Sequence, residues 1–451
     1  MKIVLVGAGS VQFGYGALGD IFNSKTLSGS EITLLDINSQ ALEIVLKTAQ
    51  AFVKQHALKF TVNAALDRKA AFRNADFIIT SIEVGNRFQL WDEDWKIPLQ
   101  YGTHQVYGEN GGPGGIFHAL RIGRIYLDIV KDAMETCPDA WIFNYSNPMT
   151  AICTTVKRAF PQAKFVGMCH EIGWLGRWLP RMLGMKFEEL HFTAAGLNHF
   201  SCMLELKDRR NGKDLYPEVL EKAEKFFLRE PGYSDLLDEY HKTGSLEESE
   251  KFDKGTSDKK SAYEWADRRL VQFMLKYYKL LPITTDSHFG EYLSWAWDIV
   301  DHRGILDFYD VYKIMMTREA RPVIKLETSE RVVPIIDGIL NDAGFEESAV
   351  NVRNDGLIED LPDWIAVEVP AIIDKDGVKG TKIRAMPKGY AALLRSYSGV
   401  YDLTAEAIIH GKKEYVIQAM LANPVVHQAT QVVPMVDRMI AQQHKWLGYL
   451  K

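Results

Sequence analysis

The first 36 residues constrain the fold more tightly than any other stretch of the chain. A short β-branched run from Ile3 to Val6 stops at Gly7-Ala8-Gly9-Ser10. A helical pattern follows from Val11 to Phe22, and a second strand, Glu31 to Leu35, ends at Asp36. Strand, glycine turn, helix and strand make a βαβ unit, which commits the chain to a parallel sheet faced by helices. Glycines in such a turn let backbone approach a pyrophosphate, and the helix N-terminus offers it free amides. A carboxylate at the tip of the second strand bonds ribose hydroxyls and repels a 2′-phosphate. Gly7, Gly9, Ser10 and Asp36 are therefore expected to bind a dinucleotide, NAD before NADP. Gln12 stands where the usual GxGxxG has its third glycine, so this expectation rests on the flanking strand, helix and acid.

The same rhythm continues. Strand-like runs at Phe77 to Ser81, Trp141 to Tyr145 and Phe165 to Met168 alternate with helical stretches at Ser39 to Lys54 and Leu120 to Glu135. This pattern predicts an α/β fold: a Rossmann-like, doubly wound parallel sheet of the lactate/malate dehydrogenase kind over residues 1–195. Residues 196–451 predict a mixed α+β domain for substrate, metal and oligomerisation. There Glu218 to Glu250 is charge-rich and broken by Pro231-Gly232, which reads as a helical hairpin or an insertion. Ser261 to Leu280 looks helical, and Val350 to Ile373 alternates like paired strands around Asp355-Gly356. Asp374-Lys375-Asp376-Gly377 reads as a hairpin turn, and helices run from Ala391 to the end.

A net charge of −6 without a Lys/Arg-rich run argues against a nucleic-acid surface. No apolar stretch reaches the roughly 20 residues a spanning helix needs, and Met1 to Val6 is too short for a signal sequence. Four cysteines, Cys137, Cys153, Cys169 and Cys202, lack CxxC spacing, which fits a reducing, cytoplasmic location.

Cys169, in Gly167-Met168-Cys169-His170-Glu171, lies just past the carboxyl end of an expected parallel strand, where open α/β sheets place their ligand crevice. With His199, in Gly196-Leu197-Asn198-His199-Phe200, it offers a thiolate and an imidazole, a donor pair suited to a divalent transition metal. The alternative is a small buried cysteine and a hydrogen-bonded core histidine. Gly112-Pro113-Gly114-Gly115, after Glu109-Asn110, reads as a tight loop, and Asn144-Tyr145-Ser146-Asn147-Pro148 closes another strand. Both loops would face the nicotinamide, unless they are turns and nothing more. Asp286 and His288 add a carboxylate and an imidazole from the second half, with a helix cap as the alternative reading.

Taken in order, Gly7-Ala8-Gly9-Ser10, Asp36, Gly112-Pro113-Gly114-Gly115, Asn147-Pro148, Cys169-His170, Asn198-His199 and Asn351-Val352-Arg353-Asn354-Asp355-Gly356 resemble glycoside hydrolase family 4 over nearly the whole chain. That family departs from two-carboxylate glycoside hydrolysis because it depends on NAD. The resemblance implies NAD+ and a divalent metal, usually Mn2+, as cofactors. A hydride leaves C3 of the sugar, the C2 proton is removed, the C1 substituent is eliminated, water adds, and the hydride returns. Carried over residue by residue, Cys169 and His199 match the metal ligands and Asn147 a substrate-binding position. His170 matches a leaving-group acid, and Glu109 an acid supporting the base. Asp286 fills the place of the C2 base, with His288 or Tyr292 as competitors. Cys169-His170 is similar to the branches acting on unphosphorylated sugars. An α-galactosidase stands first, with α-galacturonidase or another α-glycosidase as alternatives; Glu171 would mark a galacturonide, with Arg87 or Arg177 as its cationic partner.

The resemblance implies a small-molecule glycoside as partner and a homodimer or homotetramer. Two rival readings remain at this point. A lactate- or malate-type dehydrogenase would share the fold but need no metal thiolate, and an NAD-sensing regulator would bind cofactor without turnover.

Overall fold

The computed structural model describes residues 1–10, 13–228, 241–242, 268–317, 323–328 and 330–451. Position 12, most of the expected hairpin up to residue 250 and the first part of the expected helix 261–280 lie outside them.

The chain opens with β1 (Lys2–Val6), α1 (Phe13–Asn23), β2 (Glu31–Leu35), α2 (Ser39–Gln55), β3 (Thr61–Ala65), α3 (Arg68–Phe72) and β4 (Phe77–Thr80). It continues through α4 (Arg87–Gln100), α5 (Gly112–Thr136), β5 (Trp141–Asn144), α6 (Met149–Ala159), β6 (Lys164–Gly167) and α7 (Gly173–Leu183). The strands lie in the order β3-β2-β1-β4-β5-β6, all parallel. The order reverses direction at β1, which makes the switch point where open α/β sheets bind ligands. Ile3, Val4 and Leu5 are fully buried, as a strand covered by helices on both faces requires. Each such side chain contributes about 1.5–3 kcal/mol relative to exposure.

Beyond β6 the sheet turns antiparallel. β7 (Leu190–Leu197) and β8 (Phe200–Asp208) form a hairpin, followed by α8 (Tyr216–Phe227), β9 (Leu281–Pro282), β10 (Phe345–Arg353), β11 (Ala366–Asp374) and β12 (Gly377–Gly380). β10 joins β6 through Asn351 and Gly167, and β11 joins β7 through Glu368 and Gly196, so one 12-stranded sheet runs through both halves. The expected pair of strands around Asp355-Gly356 is β10 and β11, and the expected hairpin at Asp374 to Gly377 is the β11–β12 turn. The long helix Lys388–His410 packs on α5 and α6. Among the described residues no helix is long and apolar enough to cross a membrane.

One expected loop is not a loop. Gly112-Pro113-Gly114-Gly115 is the buried first turn of α5, with Pro113 in the first turn, where its missing N–H costs nothing. A Cβ on Gly114 would lie 2.3 Å from the carbonyl oxygen of Gly108, so glycine is required there by close packing.

Candidate active site

A cavity of about 540 Å³ opens at the carboxyl ends of β5 and β6, lined among others by Asn147, Cys169, His170, Glu171, His199 and His288. Each element delivers its side chain for a local reason. Met168 extends the β6 ladder by donating its N–H to the Asn144 carbonyl at 2.8 Å, and Cys169 follows where pairing ends. Ser146 ties its loop to Ile82, accepting from its N–H at 2.8 Å and donating to its carbonyl at 2.9 Å, and Asn147 follows with Oδ1 buried and unpartnered. His199 sits in the two-residue turn between Leu197 and Phe200 with φ of 60°. That left-handed backbone is uncommon outside glycine and re-aims the ring into the cavity.

The side chains converge. Cys169 Sγ lies 3.4 Å from His199 Nε2, and the His199 ring stacks on His288 with centroids 4.6 Å apart. His288 bridges two carboxylates, its Nδ1 at 2.8 Å from Glu171 Oε1 and its Nε2 at 3.1 Å from Glu109 Oε2. Arg87, the first residue of α4 after the Asn86 cap, donates to Glu109 Oε1 at 2.9 Å and lies 3.5 Å from Glu83.

Burial would raise the Glu109 carboxyl, but the His288 hydrogen bond and the charges of Arg87 and His288 hold it well below the usual carboxylate range. Glu171 likewise comes down to about 2, because the charges of His199 and His288 outweigh its burial. Burial brings His199 down to about 4, despite Glu171, so its ring is a neutral donor at neutral pH. For His288 the balance is reversed: the bond and charge of Glu171 and Glu109 outweigh burial and raise it well above an ordinary histidine. Burial, reinforced by the charges of Glu171 and Glu368, raises the Cys169 thiol.

Ligand atoms of Glu171, His199 and His288 lie within 4.8 Å of one another. Glu171 Oε2 and His199 Nδ1 are buried without hydrogen-bond partners. Together with the Cys169 sulfur these donors fit a divalent transition metal. The structure thus brings Cys169 and His199 together as expected, adds Glu171 to them as a third donor, and sets His288 beside the three, held between Glu171 and Glu109.

Asp286 is elsewhere. It is fully buried and accepts the backbone N–H groups of Leu270 and Val271 at 2.7 and 3.0 Å, capping the helix Arg269–Tyr277. At about 100° per residue, positions two apart in the turn Asp286–Phe289 point away from each other, and His288 takes the cavity side. Tyr292 is also buried away from it, stacked on Phe200 with its hydroxyl donating to the Asn198 carbonyl at 3.2 Å. Glu171 faces His199 and His288 and is engaged there. His170 is exposed at the cavity rim.

At the other end of the crevice, Gly9 donates its N–H to Asp36 Oδ2 at 2.7 Å, so the glycine turn and the acid are held together. Ser10 follows, its Oγ 3.4 Å from the Phe13 N–H. A Cβ on Gly14 would lie 2.3 Å from the Ala8 carbonyl oxygen. Gly14 therefore supplies the close helix-to-turn approach usually made by the third glycine, two positions after Gln12; only a longer spacing rule would have found it.

Residues 2–185 match the family described as Family 4 glycosyl hydrolase, and residues 194–426 match the Family 4 glycosyl hydrolase C-terminal domain. An alpha-glucosidase of Erwinia rhapontici is 54% identical over 456 residues, spanning 100% of this chain and 99% of that protein. An alpha-galactosidase of Bacillus subtilis (strain 168) is 29% identical over 460 residues, 100% of both. A solved 6-phospho-alpha-glucosidase from gut microorganisms, in complex with NAD and Mn2+, has a TM-score of 0.77 at 20% identity, over 100% of this chain and 99% of that one, which shows a shared fold.

Proposed function

The chain belongs to glycosyl hydrolase family 4, and from that membership we propose that it is an NAD+- and divalent-metal-dependent α-glucosidase. Membership replaces the dehydrogenase and regulator readings. The observation that carries the chemistry is the meeting of Cys169, His199, Glu171 and His288 beside the unpartnered Asn147 Oδ1, at the carboxyl edge of a sheet whose switch point carries the glycine turn. The 54% likeness to an alpha-glucosidase along the full length moves the proposed substrate from galactoside to glucoside. A galacturonide stands second: Arg87 and Arg177 both line the cavity, but Arg87 is already bound to Glu109 and close to Glu83.

When bound, NAD+ supplies a hydride acceptor for C3 and the metal, with Mn2+ first in line, supplies a Lewis acid. Gly7, Gly9, Ser10 and Asp36 hold the dinucleotide. Cys169 and His199, with Glu171, hold the metal. Asn147 Oδ1 accepts a sugar hydroxyl. With Glu171 committed to the metal, His288 Nδ1 would lose that carboxylate and its extra basicity, leaving the nitrogen free to take the C2 proton in the place assigned to Asp286 from the sequence. Glu109 holds Nε2 and stabilises the charge the ring then gains. His170, at the rim, protonates the departing oxygen. Trp91, Tyr107, Trp174 and Tyr312 line the same cavity and shelter the sugar from water.

We also assign residues 1–195 to cofactor binding, with Asn147, Cys169, His170 and Glu171 supplied from its carboxyl edge, and 196–451 to completing the substrate and metal site through His199 and His288 and to assembly. We place the enzyme in the cytoplasm, where the thiol stays reduced, as a homodimer or homotetramer. The test is hydrolysis of aryl α-glucoside, α-galactoside and α-galacturonide with NAD+, Mn2+ and reductant each withheld in turn. Preference for the glucoside with dependence on both cofactors supports the proposal; cofactor-independent hydrolysis overturns it, and preference for another sugar corrects its substrate.

A further inference from the structure

We propose that Glu291 is a positioning residue: it anchors the loop carrying Glu109 to the turn carrying His288 and so sets the pair that exchanges the sugar's proton. The inference rests on the function proposed above.

Glu291 is fully buried three residues beyond His288, in the turn Gly290–Tyr292. Its carboxylate reaches across the chain to three successive backbone N–H groups, those of Glu109 at 2.5 Å, Asn110 at 3.0 Å and Gly111 at 3.1 Å. Gly111 is the N-cap of α5 and has no side-chain capping bond of its own, so Glu291 caps that helix from about 180 positions away in sequence. Burial and the nearby charge of Glu109 push the Glu291 carboxyl up to about 8, and the converging amides at the start of this 25-residue helix act against that rise. The fit is close, because a Cβ on Gly111 would lie 2.7 Å from the Glu291 Cβ.

The consequence is geometric. Glu109 hangs from the first of the three amides, and His288 sits in the short turn just before Glu291. One carboxylate therefore fixes both partners of the 3.1 Å contact between Glu109 and His288. His118 adds a second tether, its Nδ1 2.9 Å from the Glu109 carbonyl oxygen. Glu291 itself is absent from the cavity lining. It acts through Glu109 rather than on the substrate.

The test is a double-variant cycle on the full enzyme with NAD+ and Mn2+, using p-nitrophenyl α-glucoside. Glu291→Gln keeps the volume but puts an amide NH2 where one of the two oxygens accepts the backbone N–H groups. Misplacement of reacting groups by an ångström costs about a hundredfold, so kcat is expected to fall by about that factor while KM and NAD+ affinity stay unchanged. If Glu291 acts through Glu109, the Glu109→Gln, Glu291→Gln double variant is no slower than Glu109→Gln alone. Losses that multiply, or wild-type kcat in Glu291→Gln, overturn the proposal. Should Glu291→Gln fail to fold by circular dichroism, Glu291→Asp, which retracts the oxygens by one methylene, is read in the same cycle.

A separate readout is the imidazole N–H resonance of His288 in histidine-labelled protein, assigned with His288→Gln. Its displacement in the Glu291 variant supports the anchor whatever the reaction, and an unmoved signal overturns it. An inactive wild type with a displaced signal would sink the functional reading alone.

Discussion

His288 Nε2 lies 3.1 Å from Glu109 Oε2, so a histidine from the second half of the chain is oriented by a carboxylate from the first. A positioned acid–base group contributes typically about 10²–10⁴-fold. Glu109→Gln is therefore expected to lower kcat by about a hundredfold or more, with NAD+ affinity retained. Steady-state kinetics and titration of cofactor by intrinsic fluorescence check both halves of the statement.

Metal affinity should rise with pH. Burial and the charges of Glu171 and Glu368 raise the Cys169 thiol well above its ordinary value, so at neutral pH it holds a proton that must leave when sulfur binds metal. One released proton gives about a tenfold gain in affinity per pH unit below that pKa. Mn2+ titrations between pH 6 and 9 test the slope, and Cys169→Ser should flatten it while leaving the fold and NAD+ binding intact.

Gly14→Ala probes the cofactor turn. Its methyl would sit 2.3 Å from the Ala8 carbonyl oxygen, forcing α1 away from the turn. NAD+ affinity should fall by about tenfold or more, corresponding to roughly 1.4 kcal/mol. Equal affinity in the variant would remove Gly14 from the cofactor site.

How much of this was legible beforehand follows from the range of each interaction. The βαβ units are local, so the switch from two-residue to 3.6-residue periodicity located β1, β2, β4, β5 and β6 to within a residue or two. β3 escaped because four of its five residues, Thr61, Asn63, Ala64 and Ala65, are at least partly exposed and carry no hydrophobic run. Gly112 to Gly115 reads as a loop because helix propensity disfavours glycine, whereas the positive φ of Gly112 and the close packing of Gly114 on Gly108 and of Gly115 on Asn110 demand it. Cys169 and His199 were readable as neighbours through a family resemblance. The parts played by Glu171, His288 and Glu291 depend on contacts across 28 to 182 residues, and no spacing rule reaches that far. Asp286 and His288 are not distinguishable by sequence for the same reason, since nothing local says which side of a single helical turn faces the cavity.

A stability prediction is independent of the reaction. Arg121 and Asp94 form a buried pair, with Arg121 donating to Asp94 Oδ1 at 2.8 Å and to Gln443 Oε1 at 2.7 Å, joining α4, α5 and the C-terminal helices. Removing one partner of such a pair costs about 3–5 kcal/mol. Arg121→Gln should lower the melting temperature by several degrees in calorimetry, with kcat at low temperature unaffected.

In the proposed reaction the glycosidic bond breaks only once the sugar's C2 proton has been removed. Hydrolysis of an aryl α-glucoside in D2O, with NAD+ and Mn2+ present, measures this directly by NMR of the released glucose. Wild-type enzyme should release glucose carrying deuterium at C2, and His288→Gln should release it far more slowly. Glucose released at full rate with protium retained at C2 would contradict this reaction.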